Sequence, residues 1–227
     1  MTKDSKNKIY CIVPAYNEAK TIVKVIADLK LFVENIIVVD DGSTDRTYDL
    51  AKTTGVVVLR HIVNRDQGAA LQTGNEYALK HGADIIVHFD ADGQFLAQEI
   101  DNLIKPIVNS ECQIVFGSRF LGGASVNMPW FKKNFIFPLA RVFNRIFFGV
   151  SLADPQCGLR AFSADIGRQI EIEQDGKAHC SEIQEKVFLA KIKYKEIPIT
   201  VIYNRFGQKL NAGFKIIIDS ILSKLLN

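Results

Sequence analysis

The sequence predicts an α/β protein: a mainly parallel central sheet with peripheral amphipathic helices. Three observations carry that expectation. β-rich runs alternate with helix-period runs over the first 120 residues, the β-rich runs are apolar at consecutive positions, and polar residues cluster just beyond them. Strands apolar on both faces are buried on both faces, and intervening helices supply the cover, which is the pattern of βαβ units. At 227 residues the chain has the length of one domain.

Ile9–Val13 is a short β-rich run and forms the first predicted strand. The next stretch, 18–31, places Ile22, Val25, Ile26 and Leu29 at the spacing of one helix face, with Asn17 as its expected N-cap. The run 36–39 is wholly β-branched, and a helix over 44–53 follows, with Ser43 or Thr44 as its cap. Residues 56–59 are the third strand, 69–81 the third helix and 85–89 the fourth strand. The stretch 96–109 reads as helical up to a break around Pro106, whose ring removes a donor and crowds the preceding turn. Residues 113–116 form the fifth strand. The second half is less regular and closes on 214–226, where Phe214, Ile217, Ile218, Ile221, Leu222 and Leu225 suit an amphipathic helix.

Composition excludes several functions. With 28 basic and 25 acidic side chains, a net charge of +3 does not describe a strongly basic nucleic-acid binder. A 48% hydrophobic content does not describe a disordered chain. Cys11, Cys112, Cys157 and Cys180 lie far apart, with no CxxC pair and no His at ligand spacing. They read as reduced, intracellular thiols rather than a disulfide framework or zinc site. The polar start MTKDSKNK runs into a short apolar stretch broken by Pro14, unlike a signal peptide, and no window of about 18 uncharged apolar residues marks a membrane span. GxxxxGK[ST], GxGxxG and GxSxG are absent, and His61, His81, His88 and His179 are read as having no evident nucleophile beside them. His88, inside a strand, reads as a satisfied core histidine.

In a parallel sheet, ligands bind beyond the carboxyl ends of the strands. Past the first predicted strand come Pro14, Ala15, Tyr16, Asn17 and Glu18; past the second, Asp40, Asp41, Gly42 and Ser43; past the fourth, Asp90, Ala91, Asp92, Gly93 and Gln94. Five carboxylates thus fall on one edge, where mutual repulsion is costly without a cation or hydrogen-bond donors. Asp90, Asp92 and Gln94 set oxygen-bearing side chains at alternate positions, hard ligands suited to Mg²⁺ or Mn²⁺ on substrate phosphates. The same loop also reads as an acidic turn after a strand. The segment from Asp40 to Asp45 offers acceptor oxygens to a nucleobase or ribose, or an N-cap with acids at a helix start.

The runs IVPAYNEA, IIVVDDGSTD, DIIVHFDADGQF and IVFGSRF, in this order and spacing, resemble glycosyltransferase family 2. More narrowly, they are similar to its dolichyl-phosphate mannose synthase branch, with the DxDxQ form and two later segments. Those appear here as Asp154-Pro155-Gln156-Cys157-Gly158-Leu159-Arg160 and Glu196-Ile197-Pro198-Ile199. The resemblance implies a GT-A type nucleotide-sugar-binding fold, a nucleotide-sugar donor and inversion at the anomeric carbon. It implies that Pro14, Ala15, Tyr16 and Glu18 line the nucleoside pocket with Val39 and Asp41, and that Asp90 and Ala91 contact the nucleotide. Asp92 and Gln94 would hold the metal, Arg119 would meet the donor or acceptor phosphate, and Arg205 and Lys209 resemble a basic lid over the diphosphate. Two departures touch donor contacts: Gln67, in Asn64-Arg65-Asp66-Gln67-Gly68, stands where lysine is common, and Arg205 falls one position late. The QxxRW motif of polysaccharide-polymerising relatives is absent, which argues against a processive synthase. We read 1–227 as a single domain with a nucleotide-binding half over 1–120 and an acceptor-binding half, carrying interfacial helices, over 121–227.

Between Cys112 and Ala153 there is no Asp or Glu, while five Lys/Arg and eight of the fifteen Phe lie there with the only Trp; the rest of the chain therefore nets −2. Lys132, Lys133, Arg141 and Arg145 lie among Trp130 and six phenylalanines. A core helix with snorkelling cations or a nucleic-acid face uses the same ingredients, but an interfacial surface for a phosphorylated lipid explains more of them. A phosphate monoester is largely dianionic at pH 7, its second pKa being about 6, and needs no general base. If a base is used, Glu182 or Asp154 is the candidate; Asp154 is alternatively expected to orient Arg160. The expectation is an inverting, Mg²⁺- or Mn²⁺-dependent transferase that moves a hexose from GDP-mannose or a UDP-sugar to polyprenyl or dolichyl phosphate. It would sit peripherally on the cytoplasmic face of a membrane, with an integral membrane partner and no nucleic acid. The alternatives are a family member acting on a saccharide or protein acceptor, and a non-catalytic membrane-docking module of the same fold.

Overall fold

The computed structural model describes residues 7–122, 125–126 and 152–202. Its central sheet has seven strands in the order β3-β2-β1-β4-β7-β5-β8. These are β1 (Ile9–Ala15), β2 (Asn35–Asp40), β3 (Val57–Arg60), β4 (Ile85–His88), β5 (Ile114–Ser118), β7 (Arg160–Ser163) and β8 (Tyr194–Pro198). All neighbours run parallel except β7, which is antiparallel to both β4 and β5. A two-stranded parallel ribbon pairs β6 (Ser125–Val126) with β9 (Val201–Ile202). Among the described residues the helices are α1 (Ile22–Leu29), α2 (Thr47–Thr53), α3 (Asp66–Lys80), α4 (Ile100–Val108), α5 (Ala164–Gln169) and α6 (His179–Leu189).

The unbroken apolar strands have the predicted cause. On β1, Cys11, Val13 and Ala15 enter one core with the α1 residues Ile22, Val25, Ile26 and Leu29 and the α4 residues Ile100 and Leu103. Tyr10 and Ile12 enter the other, with Ala70, Leu71 and Ala78 of α3, Ile166 of α5 and Ile183 and Val187 of α6. Each buried Val, Ile or Leu stabilises the fold by about 1.5–3 kcal/mol, so α1, with four such residues on one stripe, is held by packing rather than by its short length. All four cysteines are buried and free. Among the described residues no helix is long and apolar enough to cross a membrane.

Three local expectations are corrected. Asn17 does not cap α1, which starts four residues later than the sequence pattern, at Ile22. Asn17 takes φ 57°, a left-handed conformation that asparagine tolerates, and its Oδ1 accepts from the backbone N–H groups of Thr44 and Asp45 at 2.9 and 3.3 Å. Ser43 and Thr44 likewise do not cap α2; Asp45 does the local work, its Oδ1 accepting from Thr47 N at 2.9 Å. Nor does Pro106 break α4, which runs two residues beyond it to Val108. The ring forfeits one helical donor, but only Ile107 and Val108 follow it before the helix ends, and Pro106 itself is buried.

Candidate active site

The parallel register carries the carboxyl ends of β1, β2, β4 and β5 to one edge, with Ala15 opposite Asp40 and Ile12 opposite His88. The order β2-β1-β4 places a topological switch point beside β1, where open α/β sheets leave a crevice. The loops after β1 and β2 are zipped together there. Asn17 N donates to Ser43 Oγ at 3.0 Å, Glu18 N to Thr47 Oγ1 at 2.7 Å and Ala19 N to Asp45 Oδ2 at 3.2 Å. The hydroxyls and Asp45 of DDGSTD therefore build the loop and leave Asp41 to face it. Asp41 Oδ1 accepts from His61 Nδ1 at 2.7 Å and from Arg65 N at 3.0 Å. Asp40 is fully buried with Arg60 Nε 3.1 Å from its Oδ2. Tyr16 is 47% exposed, whereas Pro14, Ala15 and Val39 are buried.

Beyond β4, Asp92 Oδ1 accepts from Gln94 N at 2.9 Å, closing the turn. Gln67, at the start of α3, donates from Nε2 to Asp90 Oδ1 at 2.7 Å. Gly158 is required by close approach: a Cβ there would stand 2.7 Å from Asp90 Oδ2. Burial raises the pKa of Glu18, Asp90 and Asp92, and the Asp92 charge adds to the rise at Glu18 and Asp90. Among the described residues no group of three or more His, Cys, Asp and Glu forms a ready cation cage. The donors nevertheless fit Mg²⁺ or Mn²⁺. These hard cations take one or two carboxylates and keep waters and substrate phosphate oxygens, and a positive charge beside them offsets the burial that raises the three acids.

Behind Asp90 lies Arg160, fully buried at the start of β7. Its Nε donates to Gly158 O at 3.2 Å and its Nη2 to Cys180 Sγ at 3.1 Å, while Nη1 has no partner among the described residues. The expectation that no nucleophile adjoins the histidines fails at His179, whose Nε2 is 3.4 Å from Cys180 Sγ. Burial pushes that thiol up, yet His179 and Arg160 outweigh it and bring it down to about 6. His88 is a core histidine as expected, but only half satisfied: its Nε2 donates to Asn75 Oδ1 at 2.8 Å, while its buried Nδ1 has no partner among the described residues.

Asp154 does not orient Arg160, as the sequence pattern was expected to require. It holds Arg119 instead: Oδ2 accepts from Arg119 Nε at 2.5 Å and from its backbone N at 3.0 Å, and Oδ1 from Nη2 at 2.5 Å. The reason is topological, since β5 and the loop preceding β7 meet at the edge while Arg160 points into the core. Glu196, in β8, anchors this loop through Ala153 N at 2.8 Å and Asp154 N at 3.3 Å. Glu182 is engaged elsewhere. It accepts from the N–H groups of Glu173 and Gln174, both at 2.9 Å, and pairs with Lys186 at 2.8 Å, bracing the loop before α6. Sequence reasoning passed over His61 and gave Glu196 and Gly158, quoted only as members of their segments, no role of their own. The available signal was position: His61 directly follows the carboxyl end of β3. Trp130, Lys132, Lys133, Arg141, Arg145, Arg205, Lys209 and the helix expected over 214–226 lie outside the described residues.

A mainly parallel sheet whose carboxyl edge gathers Asp41, Asp90 and Asp92 beside an anchored arginine defines a glycosyltransferase of GT-A architecture. The chain belongs to glycosyl transferase family 2, whose family model matches residues 10–167. It is 34% identical over 242 residues to the UDP-N-acetylglucosamine--dolichyl-phosphate N-acetylglucosaminyltransferase of Methanococcus voltae, covering 96% of each chain. It is 29% identical over 217 residues to the undecaprenyl-phosphate mannosyltransferase of Micrococcus luteus, covering 91% of this chain and 88% of that one. Among solved structures it is similar to glucosyl-3-phosphoglycerate synthase from Mycobacterium tuberculosis in complex with Mn²⁺, uridine diphosphate and phosphoglyceric acid. That match has a TM-score of 0.75 at 20% identity and covers 96% of this chain and 78% of the other, a likeness of fold.

Proposed function

We propose that this glycosyltransferase moves a hexose from a nucleotide sugar, GDP-mannose or a UDP-sugar, to the phosphate of a polyprenyl or dolichyl phosphate, with inversion at the anomeric carbon. The observation that carries the reading is Arg119: a guanidinium held by Asp154 on two bonds, with a third from the Arg119 backbone N–H, and 12% of its side chain exposed, at the edge that bears Asp90 and Asp92. A cation fixed in this way suits an anion that must be aligned rather than merely attracted. The relatives named for lipid-phosphate acceptors match along nearly the whole chain, which supports that acceptor class.

In this reading Asp41 receives the base, Asp90 and Ala91 the nucleotide, and Asp92 and Gln94 hold Mg²⁺ or Mn²⁺. The bound cation supplies charge neutralisation at the diphosphate leaving group. Arg119 orients the acceptor phosphate so that one of its oxygens lies in line with the sugar C1. That oxygen bonds to C1 as the C1–O bond to the diphosphate breaks, and the nucleoside diphosphate leaves with the electron pair. The acceptor dianion has no proton to lose, so neither Glu182 nor Asp154 acts as a base. Arg205 and Lys209 cover the diphosphate, and Trp130, Lys132, Lys133, Arg141 and Arg145 meet a membrane surface on its cytoplasmic face. The chain works as one domain.

The test is to incubate the protein with vesicles containing polyprenyl phosphate, a divalent cation and a panel of labelled nucleotide sugars. Label is expected in the lipid extract, and is lost with EDTA or in Asp92→Ala. Label confined to saccharide or protein, or no transfer at all, defeats the lipid-acceptor reading. Charge reversal of Lys132, Lys133, Arg141 and Arg145 to Glu is expected to abolish transfer in vesicles; survival of transfer would defeat the membrane surface.

A further inference from the structure

The Asp41 carboxylate, at the base end of the proposed donor site, is not free to turn. Both of its contacts, His61 Nδ1 at 2.7 Å and Arg65 N at 3.0 Å, fall on Oδ1, and Oδ2 accepts from no group among the described residues. A carboxylate only accepts, so His61 Nδ1 carries the proton. The other ring nitrogen, Nε2, lies 2.9 Å from Thr73 Oγ1 on α3, which fixes the imidazole in its turn. The side chains of His61 and Asp41 are only 12% and 4% exposed, so these bonds act where water screens them little. The loop that supplies them is pinned as well. Gly42, at φ +70°, lies so close that a Cβ would stand 2.8 Å from both Asn64 N and the Val63 carbonyl carbon.

We propose that His61, backed by Thr73, is a positioning residue that locks Asp41 with one oxygen committed and one presented, and so selects a uracil base over guanine. The selection rests on the placement of Asp41 at the base of the donor nucleotide. Uracil offers a single imino N–H between two carbonyl oxygens, and one acceptor oxygen satisfies it. Guanine offers two adjacent donors, its imino N–H and its exocyclic amine, which a carboxylate matches only with both oxygens. Here Oδ1 already takes two donors, so one guanine donor is left unpaired on desolvation, and an unmade buried hydrogen bond is costly.

Calorimetric titration of the full chain with UDP and with GDP, each with Mg²⁺, reads this selection directly. UDP is expected to bind at least about tenfold tighter than GDP. His61→Ala is expected to weaken UDP about tenfold and bring the two diphosphates within about threefold of each other. His61→Asn, whose amide nitrogen reproduces the Nδ1 donor, is expected to restore most of the UDP affinity, with Thr73→Val falling between it and His61→Ala. In turnover the donor KM rises while kcat moves by less than about threefold and the acceptor KM stays put, a split that a merely structural role does not produce. If thermal melts show that His61→Ala does not fold, Thr73→Val carries the test through the same UDP:GDP ratio, with His61→Asn as the control that keeps it. Equal or tighter GDP binding by the unaltered protein overturns the selection, and an unchanged ratio in folded His61→Ala or Thr73→Val overturns the positioning role. Failure of both diphosphates to bind overturns the donor-site reading itself.

Discussion

Replacing Asp154 by Asn removes one charge, keeps the shape, and tests whether the anchored arginine serves chemistry or only the fold. Asp154 accepts three bonds from Arg119, two from the guanidinium at 2.5 Å and one from the backbone at 3.0 Å, and its own side chain is fully covered. Breaking one partner of a buried ion pair costs about 3–5 kcal/mol. Arg119 keeps contact with water, so the lower end applies, about 3 kcal/mol; at roughly 2–4 °C per kcal/mol for a chain of this size, the melting temperature falls by about 6–12 °C. Asn offers one acceptor and turns an amide donor toward the guanidinium, so one contact becomes donor against donor. Arg119 then samples several rotamers, and acceptor-dependent kcat/KM is expected to fall about 100-fold, as misplacement of an aligned group does. Calorimetric melting and a lipid-phosphate transfer assay are run together, below the melting range of the variant. Arg119→Lys and the double variant complete a cycle; residues acting as a unit are expected to be non-additive, with the double variant within about threefold of the slower single one. If Asp154→Asn melts early yet transfers within about threefold of the unaltered protein, the pair holds the fold and the positioning role of Asp154 fails.

Glu196→Gln weakens the bonds to Ala153 N and Asp154 N that place the same loop, and is expected to slow transfer about tenfold; the measurement is kcat/KM beside the Asp154 series. Gly158→Ala drives a Cβ to 2.7 Å from Asp90 Oδ2, so nucleoside diphosphate affinity is expected to fall at least about tenfold by titration; unchanged affinity would separate Asp90 from the donor site. Saturating nucleoside diphosphate with Mg²⁺, at about 100 times its Kd, stabilises the chain by about 2.7 kcal/mol, roughly 5–11 °C in a thermal shift. EDTA and Asp92→Ala are each expected to remove most of that shift. The Cys180 thiol, lowered from 9.0 to about 6, contributes stability that is complete above 9.0 and is lost as pH falls through about 6. The melting-temperature gap between the unaltered protein and Cys180→Ser is therefore expected to widen as pH rises from about 5 to about 7, and a flat gap would refute a thiolate there.

Where the chain obeys simple periodicities, the sequence shows the structure. The consecutive β-branched residues of β2 mark a doubly covered strand, and the polar residues after β1, β2 and β4 share an edge because parallel strands end on one side. β7 escapes that logic. It enters the sheet on Arg160, a charge in a fully buried strand position, and runs against its neighbours, so no apolar run announces it. The pairing of Asp154 with Arg119 escapes for a related reason: the two are 35 positions apart, and which arginine faces Asp154 depends on where β7 inserts. Caps failed where a long-range contact competed, as when Asn17 gave its side chain to the loop after β2 rather than to its own helix.

These long-range contacts also explain why motifs spread over some 180 residues act on one edge. Glu196 of EIPI holds Ala153 and Asp154, and Asp154 holds Arg119 of GSRF. Gly158 of the same Asp154 segment makes room for Asp90 of DADGQ, which Gln67 grips from the start of α3. His61 and Arg65 grip Asp41 of DDGSTD from the loop after β3. In each case a residue at the proposed site is held by one from a different element: β8, the segment before β7, the start of α3 or the loop after β3. Substitutions in EIPI or in the loop after β3 should therefore resemble substrate-contact variants in their kinetics while leaving the sheet intact. The Glu196→Gln and His61→Ala experiments measure that resemblance on opposite sides of the β1–β4 crevice.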